Sequence, residues 1–465
     1  MINLTITQAK KALKEKQFSA VELMQAHLNR IEKDDPNINA FITVTKEKAL
    51  ADAKKADELL SQGVDKPLLG IPYSLKDIFV TKGIKTTASS HVLRDFIPPY
   101  DATTVTKIQD AGGVLLGKTN LDAWAHGSSG ENSDVKITKN PYNPDYTPGG
   151  SSSGPAASVA ADFCLVATGT DTGGSIRLPA SFCNVVGLKP TYGHVSRYGV
   201  IAMASSFDSI GHFTKTVEDA ALFLQITAGH DEKDATTPDV PVPDYVTEMK
   251  KDIKGLRIGL PKEYFSDGLD PQIHNVIRTS VKILEKQGAV VKEISLPNTN
   301  HAIATYYIIQ PAEVSSNLAR FDGIRYGNDR NTFGDEARRR IMLGTFTLSA
   351  GYYDAYYKKA TQVRTIIKQE FDDAWKDVDV IITPTSPTLP WKLGEKADPL
   401  SMYLSDVYTV TVNVAGIPGL SVPAGFIDGL PVGMQILAPQ FAESTLFQVG
   451  YHFEKETEYW KRKPE

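Results

Sequence analysis

The sequence predicts an α/β fold in which helices wrap a mixed or parallel β-sheet. Segments with helical periodicity and capping signals alternate with short apolar runs over most of the 465 residues. The composition, 41% hydrophobic and 23% charged, is that of a soluble globular protein. The length suffices for two or three average domains, or for one large α/β core with elaborations.

The first part of the chain is predicted to be helical and to lead into a buried strand. Three helices are expected, at 7–16, 19–33 and 49–60. Thr7 is placed to begin the first helix, and Ser19 with Glu22 forms a capping box for the second. The apolar run 73–78 predicts a buried strand, and this strand carries Lys76.

The alternation of helices and strands continues to the end of the chain. Helices are predicted at 103–111, 271–287, 306–320, 354–375 and 445–456. Strands are predicted at 114–116, 256–260, 289–294, 378–383 and 410–414. Residues 157–168 fit either a buried helix or a buried strand. The polar, proline-rich segment 231–254 is the best internal boundary.

One long uncharged stretch, 407–427, has the length of a membrane span. Glycines and prolines interrupt it, and the β-branched run at 408–412 favours a buried strand followed by a loop. We therefore predict no membrane role for this stretch.

Charge and cysteine content exclude several classes of function. The formal net charge is -5, so the chain is a poor candidate for gripping a nucleic-acid backbone by itself. Cys164 and Cys183 cannot form a disulfide scaffold or a zinc knuckle, and no metal site is predicted. The N-terminus lacks the apolar region of a signal peptide, which predicts a cytoplasmic protein.

The segment 149–180 places two glycine-rich turns around a short apolar run, and each turn contains a serine. The turns are Gly-Gly-Ser-Ser-Ser-Gly at 149–154 and Asp-Thr-Gly-Gly-Ser-Ile-Arg at 171–177. Glycines beside a hydroxyl let backbone N–H groups approach a developing anion. Phosphate binding is a poor alternative, because no lysine follows Gly154 and the spacing G-x-G-x-x-G is missing. Either turn alone would be interpreted as an ordinary tight turn.

A serine hydroxyl is a weak nucleophile at neutral pH, so an acyl-transfer site also needs a base and donors for the oxyanion. No histidine stands in a recognisable triad context, and Ser175 is not part of a G-x-S-x-G elbow. A lysine can act as the base where burial lowers its pKa. Lys76, inside an apolar run, is the candidate, although by itself it would be interpreted as a lysine that snorkels from a strand end.

The two turns, their spacing and the lysine-bearing strand upstream resemble the amidase signature family. The resemblance implies one large α/β domain whose mixed sheet is covered by helices on both faces. It also implies a Ser-Ser-Lys triad, with Ser175 as nucleophile, Ser151 as a bridging hydroxyl in a cis peptide, and Lys76 as base. Asp171 and Arg177 are expected to brace the second turn rather than to react. The implied oxyanion hole consists of the backbone N–H groups of Thr172, Gly173 and Gly174.

Within such a domain we expect the chain to divide into five segments. They are an N-terminal helical segment (1–65), the catalytic core (66–230), a linker (231–254), an α/β and helical part that covers the substrate (255–400), and a C-terminal return to the core (401–465).

Four other segments resemble the family members that hydrolyse glutamine as one component of a tRNA-dependent amidotransferase. These segments are 127–133, 315–327, 351–357 and 413–419. The resemblance implies a heterotrimer in which this chain releases ammonia from glutamine and binds no cofactor. One partner subunit would bind tRNA and use ATP and Mg²⁺ as kinase and transamidase, and a small second partner would bridge the subunits. The chain would then meet tRNA only indirectly, and the amidated species would be Glu-tRNA(Gln), Asp-tRNA(Asn) or both.

A glutamine site needs one cation and one anion for the α-carboxylate and α-amino groups of the substrate. The resemblance implies Asp406 as the anion and either Arg339 or Arg340 as the cation. For any single arginine of the run 338–340, a solvated helix face is the alternative. Further contacts to the same ligand are expected from Gly127, Ser128 and either Tyr306 or Tyr307.

Two positions depart from the pattern of these family members. His126 stands where methionine is usual, and Gly130 stands where threonine is common. We expect His126 either to adjust substrate contacts or to be a loop histidine whose hydrogen bonds are satisfied.

Two other functions stay open at this point: a stand-alone amidase for small or aryl amides, and a non-enzymatic amidase-like scaffold.

Overall fold

Eleven strands of the described chain form one continuous β-sheet. The structure is a computed structural model that describes residues 1–321, 328–396 and 398–464. The strands are β1 (Phe41–Val44), β2 (Pro72–Lys76), β3 (Val114–Thr119), β4 (Val166–Asp171), β5 (Val186–Lys189), β6 (Ser209–Thr214), β7 (Arg257–Pro261), β8 (Val290–Ile294), β9 (Val380–Pro384), β10 (Gly419–Ile427) and β11 (Leu430–Leu437). Residues 322–327, part of one segment used above for the family resemblance, lie outside the described residues.

The sheet contains both parallel and antiparallel pairs. Its strand order is β1-β3-β2-β4-β6-β5-β10-β11-β9-β7-β8. β2 runs parallel to β3 and β4, and β7 runs parallel to β8 and β9. The other neighbours are antiparallel. The predicted α/β class with a mixed sheet is therefore confirmed.

Helices precede, follow and connect these strands. The α-helices of the described residues are α1 (Ile6–Lys14), α2 (Ala20–Ile38), α3 (Lys46–Ser61), α4 (Thr103–Asp110), α5 (Ser153–Ala160), α6 (Arg177–Phe182), α7 (Val217–Thr227), α8 (Tyr245–Glu248), α9 (Pro271–Lys286), α10 (Ala302–Asn317), α11 (Asp335–Thr347), α12 (Lys359–Ala374), α13 (Pro399–Leu404), α14 (Val410–Ala415) and α15 (Glu443–Thr457). A π-helical turn over Asp354–Lys358 leads into α12. In the part of the chain that the structure describes, no helix is both long and apolar enough to cross a lipid bilayer.

Local capping sets the ends of the first helices. Thr5, rather than the predicted Thr7, caps α1 by accepting from the N–H of Gln8, and the helix begins at Ile6. Ser19 and Glu22 form the predicted capping box of α2, which continues past the predicted end to Ile38. The helices predicted at 49–60, 271–287 and 445–456 are confirmed to within a few residues.

The middle of the sheet is buried on both faces. Every residue of β2, β3, β4, β5 and β6 is buried, as is typical of strands with a layer on each side. α5 packs against β2 and β4, and α6 packs against β5, β10 and β11. Each of these two helices directly follows one of the glycine-rich turns. The turns are therefore held between the sheet and the helices.

The secondary-structure predictions for the segment 407–427 are wrong. The predicted strand at 410–414 is the helix α14, which ends at Gly416 with a φ of 71°, and the predicted loop after it contains β10. Strand preference is weak compared with tertiary packing, and every residue of α14 is buried.

The segment 157–168 contains both alternatives, since α5 ends and β4 begins within it. Four strands and five helices of the described residues were not predicted: β1, β5, β6, β11, α6, α7, α8, α11 and α13.

Candidate active site

The two glycine-rich turns and Lys76 meet at one edge of the sheet. Lys76 is the last residue of β2, and the second turn follows Asp171, the last residue of β4. β2 and β4 are parallel neighbours, with Tyr73 paired to Val166, so their carboxyl ends lie side by side. The parallel register therefore assembles residues that are far apart in the sequence.

The amino group of Lys76 is enclosed by hydroxyl groups. Its Nζ lies 2.9 Å from Ser151 Oγ, 2.8 Å from Ser152 Oγ and 2.9 Å from Thr170 Oγ1. The Lys76 side chain is fully buried. The peptide bond between Gly150 and Ser151 is cis. The structure thus brings Lys76 to Ser151, and it adds Ser152 and Thr170, which the sequence analysis did not name.

Burial changes the acid-base behaviour of this lysine. Desolvation lowers the pKa of Lys76 to about 7, although the carboxylates of Asp122, Asp171 and Asp208 act to raise it. An amine with this pKa is substantially neutral near pH 7 and can accept a proton. Lys76 therefore has the property that the sequence analysis required of a base.

Ser175 lies on the second turn and is joined to the first turn through the backbone. The N–H of Ser152 donates to the carbonyl of Ser175 at 3.2 Å. Ser175 is 8% exposed, whereas Ser151 is fully buried. Within the described residues the Ser175 hydroxyl has no hydrogen bond to Ser151. Hydrogen bonds of this kind often tighten only when substrate is bound, so the proton relay between the two serines stays a prediction.

The second turn presents backbone N–H groups, but not the set that was expected. The Gly174 N–H donates to the Asp171 carboxylate at 2.9 Å, so it is occupied. Among the described residues, no acceptor takes the N–H of Thr172, Gly173 or Ser175. These three groups are the available donors for an oxyanion. A Cβ at position 174 would collide with the Thr409 hydroxyl, which explains the glycine there.

A buried ion pair holds this turn in place. Arg177 donates to both oxygens of Asp171, at 3.0 and 2.8 Å, and both side chains are fully buried. Burial alone would raise the pKa of Asp171, but the Arg177 guanidinium lowers it to about 2. Arg177 also donates to the Thr409 carbonyl and to Asn413 Oδ1. The expectation that Asp171 and Arg177 brace the turn is confirmed.

A buried carboxylate lies next to the second turn. Both oxygens of Asp406 accept from Ser128 Oγ at 2.9 Å, and one accepts from the Tyr307 hydroxyl at 3.0 Å. Burial raises the pKa of Asp406 to about 7. Thr409, one helical turn after Asp406, donates to the Gly173 carbonyl at 2.7 Å. Asp406 is therefore connected through Thr409 to the turn that carries Ser175.

The two candidate arginines point in different directions. Arg340 is 3% exposed, and its guanidinium lies 5.0 Å from the ring centroids of Tyr307 and Tyr403. Its Nε donates to Glu336, and its Nη1 donates to Gln310 Oε1, each at 2.7 Å. The Arg339 side chain is 42% exposed and pairs with Glu336. Arg340 consequently lies at the site, and the expectation for Arg339 does not fit its exposed position.

The remaining predicted contacts lie close to the second turn or to the carboxyl group of Asp122. The Tyr306 ring is buried against the second turn, since a Cβ at Gly173 would lie 2.8 Å from it. Gly127 has a φ of 152°, and a Cβ there would lie 2.5 Å from the Asp122 carboxyl carbon. His126 is fully buried, and neither of its ring nitrogens has a hydrogen-bond partner among the described residues. Hydrogen bonds that would satisfy a loop histidine are thus not present at His126 within the described residues.

Sequence patterns could not have identified several of the site residues. Ser152 is one of three consecutive serines, and nothing in the sequence distinguishes it from its neighbours. Gln310 lies one turn after Tyr306 and Tyr307 on α10, a spacing that would have placed it on the same helix face.

Among the described residues, no cluster of three or more His, Cys, Asp or Glu side chains is arranged to hold a metal ion.

Comparison with known proteins identifies the class to which this fold and site belong. The sequence profile of the Amidase family matches residues 22–447. The chain therefore belongs to the amidase family.

Curated relatives match the chain over its full length. The A subunit of the glutamyl-tRNA(Gln) amidotransferase of Desulfatibacillum aliphaticivorans is 52% identical, with 99% of each chain covered. The protein of the same name from Carboxydothermus hydrogenoformans is 53% identical, again with 99% of each chain covered.

Solved structures share the fold. The crystal structure of the glutamyl-tRNA(Gln) amidotransferase A subunit from Thermotoga maritima has a TM-score of 0.85 and 42% identity, with 98% of this chain and 95% of that chain covered. The peptide amidase of Stenotrophomonas maltophilia has a TM-score of 0.86 and 32% identity, with 100% and 98% covered. Since both proteins have this fold, the fold alone does not distinguish amidotransferase subunits from other amidases.

The pKa of Lys76 leads to a prediction about the reactivity of Ser175. Labelling of Ser175 by a serine-directed probe should be slow below the pKa, because a protonated Lys76 cannot accept the serine proton. The labelling rate should fall by about tenfold for each pH unit below about 7 and level off above it. Mass spectrometry of the labelled chain over a pH series measures this rate. A rate that does not change between roughly pH 5 and 7 would contradict the assignment of Lys76 as base.

Proposed function

We propose that this chain is the glutamine-hydrolysing subunit of a tRNA-dependent amidotransferase. One observation carries the proposal: a buried cation, Arg340, and a buried carboxylate, Asp406, lie near the glycine-rich turns. Lys76 contacts the serine of the first of these turns, Ser151. One cation and one anion suit the zwitterionic head group of an amino acid, and the serine suits its side-chain amide. The names of the full-length relatives support the same assignment.

The proposed reaction begins with attack of Ser175 Oγ on the carboxamide carbon of glutamine. The serine proton passes through Ser151 to the neutral amine of Lys76. The free N–H groups of Thr172, Gly173 and Ser175 stabilise the oxyanion of the tetrahedral intermediate. When the carbon–nitrogen bond breaks, the proton returns from Lys76 to the departing nitrogen, and ammonia leaves. Water then hydrolyses the acyl-enzyme to glutamate by the same proton path.

The ammonia would be consumed by a partner subunit that activates the aminoacyl-tRNA with ATP and Mg²⁺. We propose that a second, small partner joins the two larger subunits in a heterotrimer that acts on Glu-tRNA(Gln), and on Asp-tRNA(Asn) if the partner accepts it. The net charge of -5 supports this division of work, because tRNA binding by this chain alone is unfavourable. The cytoplasmic location stays a prediction.

The triad can be tested with two substitutions and a neighbouring control. Ser175→Ala and Lys76→Ala should each lower kcat/KM for glutamine by at least about 1000-fold, because the nucleophile or its base is removed. Ser153→Ala is the matched control, since the Ser153 hydroxyl bonds to Thr138 rather than to Lys76. Glutamate release is measured in the full chain with any co-purifying subunits, together with the thermal unfolding midpoint. Retained activity in either triad variant would refute the mechanism.

The separation of the two arginines gives a second test. Arg340→Met should raise KM for glutamine by about 100-fold, because a buried charged contact to the α-carboxylate is lost. Arg339→Met should change KM by less than about twofold, because exposed ion pairs contribute little. Steady-state kinetics of both variants measure the difference. A larger effect at Arg339 than at Arg340 would show that the wrong arginine has been placed in the pocket.

Co-purification distinguishes the proposal from a stand-alone amidase. A tagged full-length chain should recover two further subunits from its native host, and addition of ATP and the aminoacyl-tRNA should raise glutamine consumption. A monomer or homodimer that hydrolyses simple amides without partners would instead support the stand-alone amidase. Absence of any serine labelling would support the non-enzymatic scaffold.

A further inference from the structure

His126 is a fully buried polar side chain without a hydrogen-bond partner. Both Nδ1 and Nε2 are enclosed, and neither meets a donor or an acceptor among the described residues. Leaving a buried polar group unsatisfied is destabilising, because the group has lost its water without gaining a partner. Native structures rarely retain such a cost without a compensating role at a functional site. Both ring nitrogens are therefore available to a ligand that offers a donor or an acceptor.

His126 lies beside the charged end of the proposed glutamine pocket. Two residues further along, Ser128 donates to both oxygens of Asp406. Asp406 is linked in turn through Tyr307 to Arg340, whose positive charge adds to the effect of burial in lowering the pKa of His126. His126 therefore lies near the two charged groups that we assign to the head group.

A second unpartnered donor lies at the same place. Gln310 is fully buried on α10, and its Oε1 accepts from Arg340 Nη1 at 2.7 Å. Because arginine only donates, this contact fixes which end of the amide faces the guanidinium. The amide nitrogen, Nε2, then points elsewhere and has no partner in the described part of the chain. Two buried side chains near Arg340 consequently offer N–H groups that nothing in the described protein accepts.

The charge state of His126 decides what it can bind. Burial and the Arg340 charge both lower its pKa well below the usual value, so the imidazole is neutral. A neutral imidazole has one N–H donor and one acceptor nitrogen. A carboxylate next to Arg340 would satisfy that N–H, and a carboxylate accepts several hydrogen bonds at once.

We propose that His126 is a substrate-binding residue that donates a hydrogen bond to the α-carboxylate of glutamine, alongside Arg340 and the amide of Gln310. This assignment rests on the proposed function. Under this proposal, the α-carboxylate accepts hydrogen bonds from three side chains, Arg340, His126 and Gln310, instead of from Arg340 alone. The histidine then contributes to selecting an amino acid over a simple amide of the same length.

The test compares glutamine with 4-aminobutanamide, which is glutamine without its α-carboxylate. His126→Met keeps a buried side chain of similar length but removes the donor. KM for glutamine should rise about tenfold more than KM for 4-aminobutanamide, because one hydrogen bond to a charged group is lost. The kcat for glutamine should change much less than KM. His126→Gln, which retains an N–H donor, should recover part of the glutamine affinity.

A matched control and a binding measurement make the outcomes decisive. His27→Met removes another fully buried histidine, which bonds to the Asp162 carbonyl, and it should lower stability without changing KM for glutamine. Titration calorimetry of glutamine into Ser175→Ala, with and without His126→Met, measures binding apart from chemistry. Equal losses for both substrates, or no loss for glutamine, would overturn the role of His126 alone. Absence of glutamine binding and of glutamine hydrolysis by the chain carrying His126 would overturn the proposed function as well.

Discussion

The site depends on the burial of an amine that has only hydroxyl groups as close partners. Lys76 contacts Ser151, Ser152 and Thr170, and among the described residues no carboxylate forms an ion pair with it. Burial lowers the pKa of Lys76 more than the nearby carboxylates raise it, so the neutral amine becomes accessible near pH 7. The parallel pairing of β2 with β4 and the packing of α5 and α6 keep this arrangement closed.

Geometry, rather than pKa, distinguishes Lys76 from the other buried lysines. Burial also lowers the pKa of Lys189 to about 7, but its Nζ contacts the Pro190 carbonyl and no catalytic turn. Lys118, on the neighbouring strand β3, pairs with Asp77 at 3.2 Å and is held as part of the core. A lowered pKa is therefore useful only beside a hydroxyl that can pass on a proton, and Lys76 has such a neighbour in Ser151.

Tyr307 connects the two charged groups that we assign to the head group of the substrate. Its hydroxyl donates to Asp406, and its ring centroid lies 5.0 Å from the guanidinium of Arg340, which is itself paired with Glu336. The raised pKa of Asp406 and the unpaired nitrogens of His126 and Gln310 belong to the same pocket of the described chain. Under the proposed function, the amino group of a zwitterionic ligand would pair with Asp406, and its carboxylate would accept from His126 and Gln310.

The sequence by itself determined the α/β class, the capping box at Ser19 and Glu22, and the turns that carry Ser151 and Ser175, because these depend on short-range backbone preferences. It also singled out Lys76 and Asp406, although Asp406 only through a resemblance. Tertiary structure decided that 410–414 is a helix, that Arg340 rather than Arg339 turns inward, and that the Gly174 N–H is occupied. These outcomes depend on burial and on partners far away in the chain, which no local pattern records.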